Sequence, residues 1–304
     1  MADSRSPRHW RGVLILLFVT ALWGTTFVVI KQAVGTMSPS VLILGRFGLA
    51  AVVLTPFALR ARGRPVWFAG FQLGLWLWLG YVTQAQGLVY TTASRSAFIT
   101  AVSVVLVPVV AGLLGRRFGW PTWASAGLAF AGVALLSYDG TPPNIGDAWT
   151  LVTAITYAAY IVRLEAYAHR FKPMELTATQ IWGVVPFALA WVAVDTWAGS
   201  VSWSLGAAGP WAAVVYLALV ATVLTTWLMT VGQREVIAPE AAVIYSTEPL
   251  WASLFAFVLL GERFGPRGVV GAGLILTALI VSQIPELSRN AMPRGEAPPS
   301  DRSS

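Results

Sequence analysis

Two ionisable residues stand inside long apolar stretches of this chain. Arg46 sits in VLILGRFGLA and Glu248 in VIYSTEPLWA. A charge in the middle of a membrane helix costs at least about 2.5–3.5 kcal/mol, so each residue is a functional candidate. A guanidinium can hold a substrate carboxylate through paired hydrogen bonds. A carboxyl group can receive an ammonium, or carry a coupling proton because desolvation penalises its charged form. Plainer roles compete with these: snorkelling for Arg46, and for Glu248 a helix–helix hydrogen bond beside a kink at Pro249. Counted along their helices, Arg46 lies about 8 Å from one end of its span and Glu248 about 10 Å from the opposite face. In a hydrocarbon core of about 30 Å this leaves them roughly 12 Å apart along the normal, too far for a direct ion pair.

Aromatic residues form the second constellation. Trp23 and Phe27 share a helix face at i, i+4, and Lys31 continues that face. Tyr157 and Tyr160 form a second such face, Trp78, Tyr81 and Gln84 a third, and Tyr245 with Glu248 a fourth. Such faces can stack on a flat substrate or attract an ammonium through cation–π interaction. With 15 Trp in the chain, interface anchoring and packing account for part of the pattern. Trp10, Trp67, Trp120, Trp149, Trp203 and Trp211 fall near span ends and read as anchors. Gly24 suits close backbone approach. Pro108, Pro186 and Pro249 are expected helix kinks.

Several chemistries lack the residues they need. There is no cysteine, and the two histidines, His9 and His169, lie in charged segments. Disulfides, metal sites and a buried Ser–His dyad therefore have little to build on, and no metal or other cofactor is expected. Lys31 and Lys172 are the only lysines, neither in a phosphate-loop context, so ATP hydrolysis by this chain alone is excluded. An intramembrane enzyme would need a nucleophile with a base, or paired acids, at membrane depth. Glu248 is the one clear acid there, and an enzyme is not expected. The net charge of +7 is spread between apolar runs rather than along one stripe, which argues against nucleic acid as a partner.

The elements positioning these residues follow from composition. The chain is 57% hydrophobic and 11% charged, with a mean hydropathy of +0.69. A soluble domain carries about 25% charged residues, so most of this surface must face lipid. At roughly 20 apolar residues per crossing, ten spans are predicted. They cover approximately 12–33, 40–60, 66–90, 94–114, 120–138, 148–168, 175–195, 210–231, 240–260 and 268–284. The fold class is thus an all-α integral membrane protein. The first span lacks a convincing cleavage site and reads as a retained helix rather than a signal peptide. Of the 20 basic residues, only Lys31, Arg95, Arg263 and Arg267 fall on one side, and Arg46 and Arg163 lie within spans. The other 14 share the side of both termini, which the positive-inside rule makes cytosolic in a cell membrane.

Residues 113–119 read LLGRRFG and residues 259–265 read LLGERFG. The echo extends from ASRSAFITAVSVVLVPVVAGLLGRRFG (93–119) to APEAAVIYSTEPLWASLFAFVLLGERFG (238–265), with a one-residue slip. Aligning Pro39 with Pro173 sets Trp23 against Tyr157, Lys31 against Glu165 and Arg46 against Gln180. The expected organisation is a cytosolic segment (1–11), a five-helix repeat (12–138), an outer linker (139–147), a second repeat (148–284) and a disordered cytosolic tail (285–304). Because five is odd, the second copy enters the membrane inverted. Such pairs enclose a site near the midplane. Trp23, Phe27, Arg46, Trp78, Tyr81, Gln84, Tyr157, Tyr160, Gln180, Tyr245 and Glu248 are the candidates to line it. Gly70-x-x-x-Gly74 hints at helix pairing, either within the chain or in a homodimer.

LWGTTFVVIK (22–31), RF (46–47), GLVYTTASRSAFIT (87–100) and EPLWASLFAFVLLGERF (248–264) resemble the drug/metabolite transporter superfamily, specifically its EamA-type ten-helix exporters. The resemblance implies secondary export of small polar metabolites, often amino acids, from a prokaryotic plasma membrane. It leaves the substrate open, and a passive facilitator or uptake permease uses the same scaffold. The first copy departs from the second in having Ser103 where the second has Glu248. A role needing a carboxylate in both halves is thereby excluded.

Overall fold

The computed structural model describes residues 6–137, 142–202, 208–251, 254–255 and 265–284. The second LLGERF copy, most of the outer linker's start and the tail lie outside the described residues. No strand occurs among the described residues.

Proline or a side-chain cap starts most helices. Proline fits the first turn because its fixed φ is already helical and its missing N–H would have no partner there. Helix α1 (Pro7–Trp23), α3 (Pro39–Ala58), α4 (Arg64–Tyr90) and α9 (Pro173–Trp197) begin this way. Helix α8 (Ile145–Ala168) instead begins with a capping box between Asn144 and Asp147. Further helices are α2 (Thr26–Val34), α5 (Ala93–Thr100), α6 (Ser103–Leu113), α7 (Trp120–Ser137), α10 (Ala208–Ala218), α11 (Thr225–Gly232), α12 (Ala238–Tyr245) and α13 (Pro266–Ser282).

Among the described residues, six helical stretches are long and apolar enough to cross a membrane: Pro39–Ala58, Arg64–Tyr90, Arg95–Leu113, Ile145–Ala168, Pro173–Trp197 and Pro210–Gly232. Trp120–Leu136 and Pro266–Ser282 are apolar but shorter. Large apolar side chains such as Leu14, Phe18, Val52, Phe68, Ile155, Val269 and Ile280 are exposed on the outer surface. Apolar groups on this scale suit a lipid environment. Trp10, Trp67, Trp120 and Trp149 are exposed toward helix ends, as anchors would be.

Three expected continuous spans are interrupted. The first breaks at Gly24–Thr25, between α1 and α2. The fourth breaks at Ala101–Val102, between α5 and α6. The ninth breaks at Ser246–Thr247, after which helix resumes at 248. Hydroxyl groups accompany two of the breaks. Thr25 and Thr26 donate to the carbonyls of Leu22 and Trp23, and Ser246 and Thr247 to those of Val243 and Ile244. Such back-bonding satisfies carbonyls locally and bends the helix. The eighth span carries a π-helical turn, Leu219–Leu224, between α10 and α11.

Helix α4 packs along both α8 and α9, α3 along α9, and α7 along α13. Small residues allow the closest approaches. A Cβ on Gly74 would stand 2.7 Å from the Gln180 carbonyl oxygen and from Gly183, and one on Gly70 would strike Thr179. The Gly70-x-x-x-Gly74 face is therefore used within the chain, against α9.

Candidate functional site

The three helix breaks converge on a central cavity of about 820 Å³, counting its open mouth. Its wall includes the break residues Trp23, Thr26, Ala101, Ser103, Ser246, Glu248 and Pro249. Helix α4 adds Leu77, Tyr81 and Gln84, and α8 adds Tyr157, Tyr160 and Ile161. Helix α11 contributes Thr226 and Met229, and α12 contributes Tyr245. Eight sequence-predicted residues thus come together here: Trp23, Tyr81, Gln84, Tyr157, Tyr160, Tyr245, Glu248 and Pro249.

Four aromatic rings of the wall meet in two pairs. The Trp23 and Tyr245 rings lie 5.5 Å apart, and Tyr81 meets Tyr157 edge-on at 5.8 Å. Tyr157 reaches this position because Gly80 has no side chain: a Cβ there would collide with the Tyr157 ring. Several polar groups of the wall have no hydrogen-bond partner among the described residues. They include Trp23 Nε1, Thr100 Oγ1 and the Tyr245 hydroxyl, with Tyr245 only 8% exposed. Buried polar groups cost free energy unless satisfied, so these groups of the wall are open to a polar partner.

The two ionisable candidates differ in setting. Glu248 is half-buried on the wall, with no ion pair or hydrogen bond among the described residues. Arg46 is 1% exposed and lies behind the wall. Its Nε donates to Thr222 Oγ1 at 2.6 Å, and its Nη2 donates to the Ala221 carbonyl at 2.8 Å and to the Tyr81 hydroxyl at 3.2 Å. The guanidinium carbon also lies 4.2 Å from the Tyr81 ring centroid. Ala221 and Thr222 belong to the π-helical turn. No ion pair joins Arg46 to Glu248 among the described residues.

Other predicted residues stand outside the wall. Gln180 is fully buried one layer back, accepting from the Tyr160 hydroxyl at 2.9 Å. Trp78 stacks on Phe187 at 5.2 Å. Gly24 sits at the α1–α2 break, Pro108 is buried within α6, and Pro186 is exposed on α9. The Phe27 side chain lies outside the described residues. Sequence reasoning missed Thr26, Thr100, Thr226 and Met229 on the wall, and Thr222 behind it. The repeat carried the signal for three of them: Thr26 matches Tyr160, Thr226 matches Tyr81 and Thr100 matches Tyr245.

Ion pairs fasten the two ends of the helix assembly. Asp147 receives Arg95 through two bonds, at 2.7 and 2.8 Å, joining α5 to α8. At the opposite end Glu165 Oε2 receives Arg116 Nη1 at 2.6 Å and the Ala238 amide at 2.9 Å. Lys31 donates to the Leu88 and Thr91 carbonyls at the end of α4.

A family model described as the EamA-like transporter family matches residues 10–138 and again 144–283. The chain belongs to the EamA-like transporter family. An uncharacterized transporter of Archaeoglobus fulgidus is 32% identical to this EamA-like chain over 268 residues, covering 88% of this chain and 83% of that one. A probable amino-acid metabolite efflux pump of Escherichia coli K12 is 28% identical over 295 residues, covering 89% and 94% respectively. A solved crystal structure shares the fold with a TM-score of 0.73 at 17% identity, over 90% of this chain and 96% of that one. The chain is thus a multi-pass, all-helical membrane protein of a transporter family.

Proposed function

We propose that this EamA-like transporter is a secondary exporter of small polar metabolites bearing an amino group, amino acids among them. It works by alternating access around the central cavity, in a cell membrane with both termini cytosolic. Ten spans arranged as two inverted five-helix repeats supply the two interchangeable halves.

One observation carries this reading. The cavity wall is built from residues that pair off between the halves. Trp23 and Tyr157, and Thr26 and Tyr160, are each 134 residues apart; Tyr81 and Thr226, Thr100 and Tyr245, and Ser103 and Glu248 are each 145 apart. Helix crossings repeat the same spacings. Helix α1 crosses the eighth span with a Gly12 Cβ 3.1 Å from the Gly232 carbonyl oxygen. Helix α8 crosses α4 with a Gly146 Cβ 2.7 Å from the Gly87 carbonyl oxygen. Gly146 lies 134 residues after Gly12, and Gly232 lies 145 after Gly87. The side chain nearest Gly232 is Leu16, and its counterpart 134 residues on, Thr150, is nearest Gly87. A site shared by two similar halves opens to either side at similar cost, which alternating access requires.

Within the wall, Glu248 receives the substrate ammonium or a coupling proton, and the aromatic rings add cation–π attraction. The amino-acid part of the reading also draws on the name of the Escherichia coli relative. Purified protein in proteoliposomes tests it: with an imposed pH gradient, labelled amino acid accumulates against its own gradient. Flux that only equalises concentrations would replace active export with passive passage. Single cysteines placed at positions 3 and 300 of this cysteine-free chain should both react from the cytosolic face only; opposite faces would overturn the inverted repeat.

A further inference from the structure

The hydroxyl of Tyr81 is an incomplete hydrogen-bonding group. Tyr81 is 9% exposed and lines the cavity. Its oxygen accepts from Arg46 Nη2, and a guanidinium has five donors and no acceptor. The phenol proton must therefore point elsewhere, and no described residue accepts it. A cation bonded to the oxygen makes the O–H a stronger donor, because hydrogen bonds in series polarise one another. Arg46 itself is pinned by Thr222 and Ala221 and stands behind the ring. Of its bonds, the one to Tyr81 is the one that meets the cavity wall, and its Nη1 has no partner among the described residues.

Charge balance points the same way. Arg46 has no carboxylate partner and Glu248 no cationic one among the described residues. A ligand carrying both signs offers each a countercharge and leaves the net charge of the site unchanged. A monocation would leave Arg46 unanswered, and a monoanion would leave Glu248 unanswered. Leaving a buried charge unanswered is costly.

Resting on the cavity being the transport site, we infer that the Tyr81 hydroxyl, polarised by Arg46, donates to the substrate carboxylate while Glu248 holds its ammonium, so that the site selects zwitterions over simple amines. Arg46 is then a positioning residue, and Tyr81 is the residue that touches the substrate. The Tyr245 hydroxyl, also buried on the wall without a partner, is a second donor available to the same group.

The test is calorimetric titration of the full-length purified protein with phenylalanine and with phenethylamine, which lacks only the carboxylate. The wild type should bind phenylalanine at least about tenfold more tightly, the scale of one charge-assisted hydrogen bond. Tyr81→Phe should bring that ratio close to one, and Arg46→Gln should do the same. The double variant should lower it no further, because the two act in series. A purely structural role would weaken both ligands alike and leave the ratio intact. Should Arg46→Gln fail to fold, Tyr81→Phe alone decides. A ratio unchanged in Tyr81→Phe, a wild type that prefers phenethylamine, or no binding of either compound would overturn the inference. Transport of amino acids with a Tyr81-independent ratio would sink this inference alone. A Tyr81-dependent ratio without transport would sink the export reading alone.

Discussion

Arg46 and Glu248 are both charged residues inside apolar helices, yet the fold treats them oppositely. Arg46 is held by a hydroxyl, a carbonyl, a phenol and an aromatic face. Glu248 faces the cavity without a partner among the described residues. Arg46 is fastened to the scaffold through Nε and Nη2, although its Nη1 has no partner among the described residues, whereas a charge facing a cavity is available to a guest. Position within a helix does not separate these roles; the neighbouring backbone does. The π-helical turn presents the Ala221 carbonyl and Thr222 hydroxyl to Arg46. The broken helix before Glu248 instead turns its hydroxyls back on its own carbonyls.

This contrast can be broken at each residue. The largest effect is expected for Arg46→Ala, which leaves a tightly packed polar cluster without its centre. It should destabilise the protein by about 1–3 kcal/mol for each buried acceptor left without a donor, read as a lowered melting temperature in detergent. Glu248→Gln should leave the melting temperature unchanged and cut amino-acid transport at least about tenfold in proteoliposomes, the scale of one lost charge-assisted contact. Exchanged outcomes, with Glu248 governing stability and Arg46 dispensable for it, would reverse the assignment. Gly80→Ala forces the Tyr157 ring out of its seat, with an expected cost of about 1–3 kcal/mol and weakened ligand binding by calorimetry. The smallest effect sharpens the comparison between repeats. Gln180 stands where the first repeat has Arg46, and it too holds the hydroxyl of a cavity tyrosine. The bond is neutral, so Tyr160→Phe should cost only about 1 kcal/mol in thermal unfolding.

The aromatic wall was legible because helical spacing alone groups Tyr81 with Gln84 and Tyr245 with Glu248, and the repeat adds Tyr157 opposite Trp23. The apolar stretches likewise announced the helices. The breaks were not legible. Ser and Thr bend a helix only when their hydroxyls turn back to its carbonyls, and nothing in TTFV or YSTE says which way they turn. The partners of Arg46 were hidden for a related reason: a π-helical turn has no residue signature, so ALVATVL reads as ordinary helix. From sequence Arg46 could be a carboxylate ligand or a snorkelling residue, and its bonds to Thr222, Ala221 and Tyr81 could not be foreseen. Gly70-x-x-x-Gly74 was visible as a packing face, but only α9 lying against it shows which surface it serves.

The ring of Tyr157 over Gly80, together with the Gly87–Gly146 crossing about two turns further along α4, locks α4 to α8 like a key with two teeth. Sliding either helix by one residue would drive a side chain into a slot shaped for none. These helices belong to different halves of the chain, so on the alternating-access reading proposed above the pieces that rock would not be the repeats themselves. On that reading they would be mixed bodies drawn from both halves, with the bending at the interrupted helices that border the cavity.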